Sequence, residues 1–155
     1  RQFDPTSEDH EMVQNLFREF EPHQIYLTGM EADPASVAGT CYQVVRDSIK
    51  ECRNEDWYEN SRCWTYRGDN DEWGISLIEM AVPLSPDELQ LKLNAIYQHK
   101  TQQGGGPVSK ASEVDPWEMI EQLNRQTARA YDKLGMAEYE AMECFRRWKP
   151  DIEFE

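Results

Sequence analysis

The first fifty residues constrain the fold more than any other stretch, because they read as helix, then strand, then helix. In residues 7–21, Val13, Leu16, Phe17 and Phe20 recur at helical spacing, with acids in the first turn and Pro22 as the stop. Ser7 is the expected N-cap. "HQIYLTG" then alternates as a short strand ending at Gly29. "ADPASVAGTCYQVVRDSIKEC" follows as a helix with Val37, Cys41, Val44, Val45, Ile49 and Cys52 on one side. This cadence implies an α/β domain with parallel strands.

The remaining segments continue the pattern. "RCWTYRG" is a second strand and "ISLIEMAVPL" a third extended segment. "LSPDELQ" is a strong helix start, with Ser85 as cap, Pro86 at the first helical position and Glu88 three residues past the cap. That helix is expected to reach about Gln102. "VDPWEM" repeats the signal with Asp115, Pro116 and Glu118, opening a helix that stops near Gly135. Between them, residues 103–114 read as a flexible loop by composition. "AEYEAMECFRRW" fits either a helix or an irregular strand. No internal repeat and no domain boundary is evident, so residues 1–155 read as one domain. Three strand candidates are few beside the ~5–6 of an average sheet, and a parallel sheet must be covered on both faces. The reading is therefore a partial domain whose sheet is completed by a protein partner or by an N-terminal part of a longer polypeptide. An opening on Arg1 rather than methionine fits that expectation.

Charge and motifs narrow the function classes. Thirty acids against 16 bases give a net charge of −14, which argues against phosphate-backbone binding of nucleic acid and against anionic membranes. No apolar run reaches the ~20 residues of a membrane span. The four cysteines form no C-x-x-C pair. Cys41 and Cys52, on a helix among apolar residues, read as reduced buried thiols, as in a reducing compartment such as a cytoplasm or organelle interior. Neither a G-x-G-x-x-G nor a G-x-S-x-G motif is present. His10, His23 and His99 are far apart and form no H-x-x-H pair. Trp57, Trp64, Tyr66 and Trp73 suit inter-strand packing better than a sugar-stacking surface. The acids Glu138, Glu140 and Glu143 suit solvated charge better than acid–base work.

Taken together, "EPHQIYLTGMEADP", "CWTYRG", "EWGISLIEMAVPLSPDEL", "KLNAIYQHKTQ" and "NRQTARAYDKLGMAEYEAMECF" resemble the C-terminal, PIG-L/LmbE-type deacetylase domain of bacterial glucosamine-6-phosphate deaminase-like fusion proteins. The likeness runs from about Pro5 to Trp148. It implies a Rossmann-like PIG-L/LmbE fold, of which only the C-terminal portion is present, the early strands being absent. Active relatives are implied to use zinc, held by an early A-H-P-D-D motif and by a later histidine in an H-x-x-H pair, to remove an acetyl group from an amino-sugar nitrogen. Here A-H-P-D-D is missing. The later D-P-H-x-x-H pattern falls on "DPASVAG", which places Ala35 and Ala38 where the resemblance expects histidines. A methyl group binds no zinc. The resemblance leaves Asp33, His99 and Gln102 as a relic of a substrate rim, or His99 and Gln102 as parts of the helix packing, with no metal and no catalytic residue expected. The reading is a degenerate, metal-free domain with a structural or accessory-subunit role. The alternatives are a regulatory or oligomerising part of an amino-sugar-phosphate enzyme, or the remnant of an N-acetyl-sugar deacetylase.

Overall fold

A computed structural model describes residues 4–28, 36–67, 72–99, 116–136 and 138–149. They form a mixed α/β fold with a four-stranded sheet, and the chain divides into two compact units. The first unit comprises residues 1–68 and 145–155, and the second residues 69–144.

In the first unit, α1 spans Ser7–Phe20. Its cap is Thr6, not Ser7. The Thr6 hydroxyl accepts the Asp9 N–H at 3.3 Å, and the Asp9 carboxylate accepts the Thr6 N–H at 2.8 Å. The reason is spacing: an acid stands three residues past Thr6, whereas His10 stands three past Ser7. These bonds to Thr6 hold the Asp9 carboxyl below its ordinary pKa. Glu21 closes the helix in the left-handed conformation at φ 43°, its N–H bonded to the Phe17 carbonyl, and Pro22 cannot continue it.

Strand β1 (Gln24–Thr28) pairs in parallel with β2 (Arg62–Tyr66), setting Ile25 beside Cys63 and Tyr26 beside Trp64. Two parallel neighbours need a crossover, and α2 (Val37–Cys52) supplies it. Ser36 caps α2 by accepting the Gly39 N–H at 3.0 Å. The inward residues Ile25, Leu27, Tyr42, Ile49, Cys63 and Trp148 form one core, flanked by Phe17, Val45, Trp57 and Tyr58. Helix α1 lies on α2, where the Ser48 hydroxyl donates to the His10 carbonyl at 3.3 Å. Cys52 is buried as expected, but Cys41 is exposed: it lies on the same side of α2 as Cys52, in the first half of the helix, where Val37 and Ala38 are exposed too.

In the second unit, the expected third extended segment splits. Ile75–Leu77 is a short 3-10 turn, and only Met80–Leu84 forms strand β3. Helix α3 (Pro86–Tyr97) starts as its signal predicts: Ser85 accepts the Glu88 N–H at 3.3 Å, and Glu88 accepts the Ser85 N–H at 2.8 Å. It ends at Tyr97, short of the expected Gln102. Asp115 and the expected loop at 103–114 lie outside the described residues. Helix α4 (Pro116–Asp132) is followed by Gly135 at φ 81°, a backbone conformation that favours glycine. Ala128, Met142 and Cys144 form a small core with Ile78, Ala81 and Tyr131.

The ambiguous segment resolves as strand β4 (Ala141–Trp148). Its second half pairs with β2 antiparallel, with Cys63 opposite Trp148 and Thr65 opposite Arg146. The strand order is β1-β2-β4-β3, so the sheet is mixed rather than wholly parallel as the cadence implied. The helix–strand cadence reads only the β1–α2–β2 crossover, and β4 arrives without one. Among the described residues, no helix is long and apolar enough to cross a membrane.

Candidate functional site

In an open α/β sheet, ligands sit past the C-terminal ends of the parallel strands. Here that place is the start of α2, after β1. Ala38 occupies its first turn and is exposed, next to Val37, which is 76% exposed. The first turn carries no acid. Asp33 and Ala35 lie outside the described residues.

Of the other expected rim residues, His99 is the one among the described residues. His99 lies two residues beyond α3, exposed, with its backbone N–H bonded to the Ile96 carbonyl at 3.0 Å. It belongs to the second unit, and Gln102 lies outside the described residues. His23 sits before β1, at the opposite end of that strand from α2, where its carbonyl accepts the Arg62 N–H at 2.9 Å. A five-residue strand separates the two ends by roughly 17 Å. The His10 ring bonds the Thr6 carbonyl at 2.8 Å, within the α1 cap. Among the described residues, no group of three or more His, Cys, Asp or Glu side chains converges to hold a metal. The methyl group of Ala38 offers no donor atom to the zinc that the resemblance implies.

The buried thiols are equally unsuited to chemistry. Burial pushes Cys63 up to about 11, against the opposing pull of Arg147. Burial and the nearby Glu72 and Glu143 raise Cys144 to about 12. A thiol held that high carries almost no thiolate near neutrality.

Two features were not legible as motifs. In the second unit, a groove of about 400 Å³ runs between α3 and α4, lined by Pro86, Leu89, Gln90, Leu93, Asn94 and Tyr97 on one side and by Glu121 and Arg125 on the other. Its size suits a small ligand. Its one cation among the described residues is already committed, because Arg125 pairs with Glu121 at 2.8 Å and also with Glu140. Close by in the fold, Lys92 bonds Asn124 Oδ1 at 2.7 Å and pairs with Glu143, while Asn124 Nδ2 donates to the Met142 carbonyl at 3.0 Å. The spacing of Leu89, Leu93 and Tyr97 was the available signal for the groove. The polar tie joins residues 32 and 51 positions apart in sequence, which no local pattern exposes.

Comparison with known proteins places the fold first. The chain superposes on a 4-carboxy-2-hydroxymuconate hydratase of Pseudomonas putida with a TM-score of 0.64 at 11% identity, covering 97% of this chain and 62% of that one. It superposes on the N,N'-diacetylchitobiose deacetylase of Pyrococcus horikoshii with a TM-score of 0.54 at 18% identity, covering 94% and 52%. The fold is thus that of a large part of such hydratases and deacetylases. In sequence, the chain is 43% identical over 152 residues to a glucosamine-6-phosphate deaminase-like protein of Bacteroides thetaiotaomicron, covering 96% of this chain. It spans 23% of that relative's length. No family model matches the chain.

Proposed function

We propose that the chain is a non-catalytic, Rossmann-like PIG-L/LmbE-type portion of a glucosamine-6-phosphate deaminase-like polypeptide, kept for a structural or accessory role. One observation carries this reading. The exposed first turn of α2, past the C-terminal end of β1, presents the methyl group of Ala38 where the resembling enzymes place a histidine of the H-x-x-H pair. The 43% identity to a deaminase-like protein four times as long supports the assignment to a larger polypeptide.

The sheet supports the structural role. Strand β1 is an edge strand in the described order. Ile25 and Leu27 face the α2 core, whereas Tyr26 and Tyr66, on the other face, are 49% and 42% exposed. Parallel strands are ordinarily covered on both faces, and an open edge invites pairing. Additional strands or helices of the same polypeptide, or of a protein partner, would cover this side.

The test is metal analysis of the full-length polypeptide together with a deacetylase assay on an N-acetylated amino sugar. The expected result is no stoichiometric zinc and no turnover. Stoichiometric zinc with chelator-sensitive deacetylation would overturn the reading.

A further inference from the structure

At the end of the sheet opposite the α2 start, the first unit holds a feature that the structural role does not use. The antiparallel register sets Cys63 against Trp148, which brings the residues flanking them, Arg62 and Lys149, to the same end. Arg62, Arg147 and Lys149 line a cavity of about 160 Å³ there, with Tyr58, Ser61 and Glu59 also in its wall. Three cations face one carboxylate in a chain whose acids outnumber its bases by 30 to 16.

Two of these cations, Arg62 and Lys149, are not consumed by the acid surplus. Arg62 uses Nη1 on the Glu59 and Ser61 carbonyls, at 3.2 and 2.8 Å. A guanidinium has five N–H donors, so most of the fork is left over. Neither those groups nor the Lys149 ammonium has a partner among the described residues. Ser61 supplies an independent sign. It is only 8% exposed, and its hydroxyl is buried without a hydrogen-bond partner among the described residues. Buried hydroxyls in folded proteins are nearly always bonded, so an orphaned one in the wall of a cationic cavity points to a missing acceptor. The cavity is smaller than the ~300–1,000 Å³ of pockets that take drug-sized molecules. It suits a compact oxyanion rather than a whole sugar or nucleotide.

We propose that this cavity binds a phosphate dianion, free or as the end group of a small phosphate monoester, held by Arg62, Arg147 and Lys149 with the Ser61 hydroxyl donating. Charge-assisted bonds from a guanidinium fork to phosphate are the strong kind, and the carbonyl bonds of Nη1 fix where that fork points. This site is independent of the α2 turn, so it stands or falls apart from the structural reading.

Calorimetric titration of the full-length chain with inorganic phosphate tests the site, with sodium chloride at matched ionic strength as the control and glycerol phosphate as the monoester. Saturable binding of phosphate at one site per chain is expected. Tighter binding of glycerol phosphate would mark a monoester as the ligand, and equal binding would mark free phosphate. Arg62→Ala and Lys149→Ala, both on exposed side chains, should each weaken binding about tenfold. Ser61→Ala should weaken it less, without lowering the melting temperature measured in phosphate-free buffer, since its hydroxyl makes no bond there. An exposed-surface control, Lys133→Ala, should change nothing. Failure to see saturable heat, or binding that Arg62→Ala and Lys149→Ala leave intact, would overturn the proposal.

Discussion

The two compact units hold themselves together in different ways. The first closes around six buried residues from two strands, a crossover helix and the end of β4, with Ile49 fully buried. Among the described residues, the second gathers Ala128, Met142 and Cys144 in its buried cluster, with polar ties beside it. Lys92 reaches Asn124 and Glu143, Asn124 reaches the Met142 backbone, and Arg125 joins Glu121 and Glu140. Apolar burial is non-directional and tolerates small shifts. A half-buried ion pair with a shared amide does not, because each lost partner leaves a desolvated group behind.

The sharpest way to break the comparison is at Ile49. Ile49→Ala should cost about 2–5 kcal/mol in denaturant unfolding, since it empties a fully buried site. A cost below about 1 kcal/mol would mean that the first unit has no common apolar core. Next comes the polar counterpart. Asn124→Ala removes the amide donor to the buried Met142 carbonyl and one acceptor from Lys92, for an expected loss of about 1–3 kcal/mol. If Asn124→Ala proves neutral, the second unit does not depend on its polar tie.

Salt should separate the units by a smaller margin. The pairs of Arg125 are about one-third exposed and are worth about 0.2–1 kcal/mol each at low ionic strength. Hydrogen exchange in α4 should therefore speed up near 1 M salt, where screening acts within about 3 Å, more than exchange in α2. Equal responses would remove the distinction.

The smallest effect is acid sensitivity in the first unit. A hydrogen bond from the Trp57 indole, then one from Arg18, holds the Glu55 carboxyl below its ordinary pKa of 4.5. A depressed carboxyl stabilises the fold above that ordinary value, and the contribution disappears as pH falls through the folded value. Glu55→Gln should flatten the fall of melting temperature below pH 4.5. An unchanged slope would show that the Arg18–Glu55 pair carries no linkage.

Much of this architecture is readable from local patterns. Ser85, Pro86 and Glu88 specify a helix start that depends only on groups within one turn of each other, and the structure has it there. The same rule, applied strictly, selects Thr6 over Ser7 as the α1 cap, because Asp9 stands at the right distance. The apolar residues of "QIYLT" and of α2 likewise announce a strand and its crossover helix. The candidate site was legible only in part. The expected turn contributes Ala38, whereas the cavity of Arg62, Arg147 and Lys149 joins residues some 85 positions apart in sequence and has no motif.

The sequence by itself determined which segments are helical, because capping, proline placement and apolar periodicity act within a few residues. Tertiary structure decided the rest. "AMECFRRW" carries no clean alternation, its burial being set by partners on both sides, so only pairing with β2 made it a strand and gave the sheet its antiparallel member. Cys41 and Cys52 share a helix and a chemistry, yet one is exposed and the other fully buried. They lie on the same side of α2, so what separates them is position along it: Arg18 of α1 reaches Cys52 Sγ at 3.9 Å at the end of the helix, a contact that no local pattern announces.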